Sequence, residues 1–397
     1  MRLLNKKTFE IEFFLDDEVP PYIILSHRWS GAETSMHEFA KQRHLSREHW
    51  SPGTAKVLTF CEHIRDYEEQ YVWVDTCCID KSSSAELQEA INSMFKWYQA
   101  AEECVVYMHD VQSFTGELED EHYELEAQLK RSQWFTRGWT LQELLAPRKI
   151  MFVDCKWKRM GSREDFQDVL HEITRIKPGY YGNLAKIHSA PVAERMSWLS
   201  LRKTSRVEDM AYCMLGVFDV NMTMLYGEGP KAFIRLQKEI IQNIDDESIF
   251  VWQPVTVETD EGSCIPVLAP EVACFSICRD VIITKSIYLN RDPYRWTMKG
   301  LEFELYEQRR MQFSHELLVI LNCKVDGKHA AFNIRRTSHG LERDSNVYQR
   351  LATPELLILS GQVYAYPPTA EDAYQRQRSS SVVNFESENI LFKVFIQ

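Results

Sequence analysis

The chain lacks the marks of several common protein classes. No stretch of its 397 residues approaches the ~20 consecutive apolar residues that span a bilayer. The opening Met1-Arg2-Leu3-Leu4-Asn5-Lys6-Lys7 has no apolar core followed by a small-residue cleavage site, so no secretory signal is expected. Basic charge is in deficit. Lys and Arg number 46 against 58 Asp and Glu, for a formal charge of −12. Such a chain repels phosphate backbones, and the basic clusters near residues 195–206 and 328–336 are small, so a nucleic-acid partner is disfavoured. Walker A, GxGxxG and HExxH patterns are missing, which removes the common nucleotide and metalloprotease signatures.

Ten cysteines are present, but none forms a CxxC pair. Most sit inside apolar runs such as Cys104-Val105-Val106-Tyr107, which fits buried free thiols in a reducing compartment better than a disulfide framework. Cys274 and Cys278 are four apart with no second ligand pair in register, so no metal site is expected. The simplest location is cytoplasmic.

What is present is ordinary globular sequence. Apolar residues make up 44% and charged residues 26%, and the length suits two to three domains. The first part alternates short apolar runs with helical stripes. Strands are expected over 22–26, 71–75, 104–108 and 149–153. Helices are expected over 55–69, from a capping box of Ser83 with Glu86, and over 139–145 up to Pro147. Five-residue strands buried on both faces and separated by helices imply a parallel, doubly wound sheet.

Residues 159–252 read as helical, with a second capping box at Ser205 and Glu208 and a helix opened by Pro230. Residues 253–397 read as a β-rich accessory region, with strands near 317–323, 330–334, 356–359 and 390–396 and a mobile loop over 376–381. The expected division is therefore 1–158, 159–252 and 253–397. The acidic stretch 117–126 reads as a solvated face.

In doubly wound sheets ligands bind beyond the carboxyl ends of the strands, near a switch in strand order. Those ends carry Ser26-His27-Arg28-Trp29 and Asp75-Thr76-Cys77-Cys78-Ile79-Asp80. Arg28 can hold a phosphate or carboxylate, His27 can transfer protons and Trp29 can stack. Asp75 and Asp80 can bind ribose hydroxyls or a metal, or equally cap the following loop. Cys78 with His27 can be read as a thiol nucleophile and its base, although no oxyanion-hole signature accompanies them. Trp139 and Glu143, four apart on a helix, share a face. A carboxyl beside an indole is disfavoured in its charged form. Spacing alone gives both residues a structural role.

Three blocks together resemble the heterokaryon-incompatibility (HET) domain of filamentous fungi. They are residues 22–29, residues 71–81, and Phe135-Thr136-Arg137-Gly138-Trp139-Thr140-Leu141-Gln142-Glu143-Leu144. Further similarity to HET proteins runs through Arg195-Met196-Ser197-Trp198, residues 206–216 and Leu225-Tyr226-Gly227-Glu228-Gly229. Ser30 stands where the family has glycine, and Gly31 follows.

The resemblance implies self/non-self recognition and programmed cell death. HET domains have been compared with TIR domains, which implies a TIR-like (flavodoxin-like) fold. It also implies cleavage of the nicotinamide–ribose bond of NAD or a related nucleotide, as a substrate rather than a bound cofactor. On this reading Glu143 is catalytic, and Ser26, His27, Arg28, Trp29, Asp75, Cys78, Asp80 and Trp139 line the site. The active state would be a homo-oligomer, with a protein partner reached through the C-terminal region. The rival expectation is a non-enzymatic assembly module, and a third is a hydrolase built on Cys78.

Overall fold

The computed structural model describes residues 1–29, 31–113, 119–255, 263–284, 294–298, 300–306, 316–336, 347–351, 357–359 and 391–396. Ser30, part of the acidic stretch and residues 376–381, where a mobile loop is expected, lie outside the described residues. The chain forms two compact units that do not follow its linear order. The first contains Met1–Ser189 and Leu201–Gly229, the second Ala190–Ser200 and Pro230–Gln397.

The first unit is built on a seven-stranded sheet. Its strands are β1 (Arg2–Asn5), β2 (Ile11–Phe13), β3 (Tyr22–His27), β4 (Tyr71–Trp73), β5 (Glu103–Tyr107), β6 (Ile150–Val153) and β7 (Arg159–Ser162), in the spatial order β2-β1-β4-β3-β5-β6-β7. The four inner strands β4, β3, β5 and β6 are parallel. The edges differ from a wholly parallel sheet. β1 and β2 form an antiparallel hairpin against β4, and β7 pairs antiparallel with β6. These edge strands are short and only partly apolar, so they leave little pattern in the sequence: β2 is half-buried to exposed along its length.

β3 is buried at every position, as expected of a central parallel strand. β4 is shorter than its apolar run, because the Val74 carbonyl turns to accept the amides of Cys77 and Cys78. Helices α1 (Met36–Gln42) and α2 (Pro52–His63) connect β3 to β4, and α3 (Ser84–Ala100) connects β4 to β5. The first crossover runs one way from β3 and the second runs back past it. Right-handed crossovers therefore place α2 and α3 on opposite faces, with the switch between β3 and β5. α4 (Glu119–Arg131) and α5 (Thr140–Leu145) lie between β5 and β6, and α5 packs against α3 and β3. α6 (Gln167–Thr174) and α7 (Leu184–Ser189) follow β7.

Two capping expectations need correction. Ser83 does cap α3 by accepting from the Glu86 amide, at 3.3 Å. The Glu86 carboxylate instead takes the Asp80 amide and Arg2, so the box closes on one side only. Ser205 caps no helix among the described residues. The helix there is the short α9 (Asp209–Tyr212), reached after α8 (Val192–Ser197) of the second unit, and Glu208 spends its carboxylate on the Gly227 and Gly229 amides. α10 (Leu215–Phe218) packs on α3. Gly216 makes that contact possible, since a Cβ there would fall 2.0 Å from the Phe95 Cβ.

The second unit carries α8 and α11 (Lys231–Asn243), which Pro230 opens as expected. Among the described residues its sheet has nine strands, β8 (Cys264–Ile265), β9 (Val281–Ile283), β10 (Arg295–Thr297), β11 (Gly300–Tyr306), β12 (Glu316–Val325), β13 (Lys328–Arg336), β14 (Val347–Leu351), β15 (Leu357–Leu359) and β16 (Leu391–Ile396). All pairs are antiparallel except β14 with β16. Arg350 is buried here, donating to the Phe250 and Trp252 carbonyls at 3.0 and 3.1 Å with its guanidinium over the Trp252 ring. No helix among the described residues is long and apolar enough to cross a membrane.

Candidate active site

Glu143 is bonded to Ser26 on β3 and acted on by the charge of Asp75 just beyond β4. α5 starts at Thr140, whose hydroxyl donates to the Trp134 carbonyl at 2.6 Å, and it ends before Pro147. The preceding segment is laced to a distant one: the Gly138 amide donates to the Lys203 carbonyl at 2.8 Å, and the Lys203 amide to the Thr136 carbonyl at 2.7 Å. Buried Arg202 adds bonds to the Arg137 carbonyl and the Thr140 hydroxyl, at 3.1 and 2.9 Å. This lacing holds α5 where Glu143 reaches the end of β3.

Glu143 is 6% exposed. Ser26, on β3, donates its hydroxyl proton to Glu143 Oε2 at 2.5 Å, and Ser26 in turn accepts from the Trp134 indole at 3.0 Å. Burial pushes the Glu143 carboxyl up to about 8, and the negative charge of Asp75 adds to the effect. The Ser26 bond and the charges of Arg137 and Arg202 pull the other way without offsetting it. The site thus favours the neutral form of this carboxyl.

Asp75 lies just beyond β4, and its Oδ2 accepts from the Trp29 indole at 2.8 Å. Trp29 is overlain by two cations, the Lys81 ammonium 3.9 Å and the Arg137 guanidinium 5.0 Å from its ring centre. His27 is buried between carboxylates: Nε2 is 3.3 Å from Glu33 Oε2, and Nδ1 is 3.9 Å from Asp75 Oδ1. Burial pushes Glu33 up, but the His27 ring and Lys56, 2.6 Å away, more than reverse it, and its carboxyl is held well below the usual range. Exposure rises outward from Glu143 through the Asp75 side chain, at 18%, to half-buried Trp29, Arg28 and Arg137 and exposed Lys81.

Some expected site residues stand apart. Asp80 caps its own turn, accepting from the Ser82 amide and hydroxyl at 3.0 and 2.6 Å. The buried Cys78 sulfur accepts from the Val74 amide at 3.4 Å, and both His27 nitrogens face carboxylates rather than this thiol. Trp139 donates to Asp209, which also accepts from the Tyr226 hydroxyl at 3.0 Å, so its indole anchors α5 to α9. Arg28 forms no ion pair among the described residues. Sequence reasoning passed over Trp134, Arg137 and Arg202. Arg137 lies inside the third motif block, but Trp134 and Arg202 are tied to the site only through the fold.

The central part of this unit carries a recognisable family signature: residues 22–128 match the family model described as Heterokaryon incompatibility protein (HET). The match includes Ser26, Trp29 and Asp75, and Glu143 lies beyond its end. Residues 231–292 match a Domain of unknown function (DUF8212). Over 231 residues, 56% of its length, the chain is 39% identical to the Vegetative incompatibility protein HET-E-1 of Podospora anserina. It spans 16% of the length of that relative. No solved structure matches.

Proposed function

We propose that the chain acts in heterokaryon incompatibility as a cell-death effector, and that its first unit cleaves the nicotinamide–ribose bond of NAD or a related nucleotide. The observation that carries this reading is one buried glutamate, bonded to Ser26 at the end of β3 and subject to the charges of Asp75 and Arg137, which themselves bracket the Trp29 ring. The inner strands, numbered in chain order, lie as 2-1-3-4. That order agrees with a TIR-like, flavodoxin-type arrangement, whose ligands bind at this switch point.

The chemistry asks for little. Departure of nicotinamide leaves an oxocarbenium-like ribose, and a carboxylate held against it stabilises the developing charge. Nicotinamide needs no general acid. The nicotinamide ring of NAD is itself cationic, so its arrival favours the ionised form of Glu143 and opposes the burial and the Asp75 charge that keep the carboxyl neutral. Arg137 and Lys81 suit the diphosphate, since each is a cation with no carboxylate ion pair among the described residues. Activity belongs to a homo-oligomer in the cytoplasm, with the C-terminal region open to a protein partner. Nicotinamide release by the purified full chain, alone and assembled, tests the reading. Release supports it, and none in either state removes it.

A second reading has its own support. Glu143 is buried and hydrogen-bonded, which is also how a structural pin behaves. The chain would then signal by assembly alone, and Glu143→Gln would leave cell killing intact.

A further inference from the structure

Trp134, Ser26 and Glu143 form a chain of hydrogen bonds with only one sense. An indole N–H can only donate. At 3.0 Å it therefore fixes the Ser26 oxygen as its acceptor. A hydroxyl has one proton, and at 2.5 Å the Glu143 Oε2 takes it. The Ser26 proton has no other acceptor among the described residues, so Oε2 stays its acceptor and a proton on the carboxyl is better placed on Oε1. Among the described residues nothing hydrogen-bonds to Oε1.

We propose that Trp134 is a positioning residue. Through Ser26 it fixes the orientation of the Glu143 carboxyl and leaves Oε1 as the oxygen presented to ligand. That the ligand's ribose is what meets Oε1 rests on the function proposed above; the relay itself does not. Trp134 is fully buried, with edge-on contacts to Phe135 and Phe152, so the donor is held rigidly.

The sense of the relay has a measurable effect. With Trp134 in place, Ser26 donates, which favours the carboxylate. The indole N–H polarises the Ser26 hydroxyl and strengthens its donation, so without it the carboxylate is held less well and the neutral form gains. The test is an infrared titration of the full chain, with the Glu143 carbonyl band assigned by its loss in Glu143→Gln. In Trp134→Phe the Glu143 midpoint should rise by roughly half to one pH unit. Ser26→Ala, which removes the donor itself, should move it the same way and covers the case in which Trp134→Phe does not fold. A midpoint that stays put in a folded variant overturns the relay. If the parent chain releases nicotinamide, the pH profile of kcat in Trp134→Phe should move with the titration while KM holds. A shifted midpoint in a chain that never cleaves NAD leaves the relay standing and removes the proposed function instead.

Discussion

The charge of Asp75, at the end of one parallel strand, acts on the Glu143 carboxyl reached from α5, 68 residues further along the chain. Burial supplies the larger part of the upward shift and Asp75 the next. Two acidic groups so placed cannot both be charged cheaply.

This relationship sets a pH dependence of stability. The Glu143 carboxyl is raised from 4.5 to about 8 in the folded chain. Below the unfolded value both states hold the proton and nothing is lost. As pH rises towards 8 the unfolded chain has released its proton and the folded chain has not, so stability falls across that window. Glu143→Gln removes this loss. The variant should gain on the parent from pH 5 to pH 8, by on the order of a few kcal/mol, read as a widening gap in Tm. A gap constant with pH would contradict the placement of Glu143.

Arg202 should be costly to remove. It is buried, its two bonds hold the Arg137–Thr140 segment, and its charge lowers the Glu143 carboxyl. Arg202→Met should destabilise the first unit by roughly 2–4 kcal/mol in denaturant unfolding, and raise the Glu143 midpoint further. An unchanged midpoint would show that its charge does not reach the site.

Arg137 should act on binding rather than on chemistry. Arg137→Ala should raise KM for NAD about tenfold or more, with a smaller change in kcat, and weaken the salt dependence of binding. A loss confined to kcat would place Arg137 against the reacting bond instead.

Gly216→Ala tests the packing beneath the site. The added methyl meets the Phe95 side chain, so α10 must lift from α3. A loss of at least ~1–3 kcal/mol is expected in thermal or denaturant unfolding. A neutral substitution would mean the two helices are not in close contact.

The parallel heart of the first unit was legible because its strands are buried on both faces and read as continuous apolar runs. Tyr22–His27 is the clearest case. The antiparallel edges were not, since β2 and β7 have no continuous apolar stripe. Ser26, Asp75 and Glu143 could be singled out as residues at strand ends and in motif blocks. Trp134 could not be linked to Ser26, from which it is 108 residues away, nor Arg202 to Thr140, 62 residues away. Bonds across such separations follow from topology, which no local pattern encodes. Ser205 with Glu208 shows the converse. The local pattern of a capping box was present, but the Gly227 and Gly229 amides claimed the carboxylate.

The most direct measurement is nicotinamide release from NAD by the purified full chain and by Glu143→Gln, each confirmed folded and assayed alone and assembled. A catalytic Glu143 requires turnover by the parent and a loss of at least about a hundredfold in the variant. Equal turnover by the two proteins would contradict it.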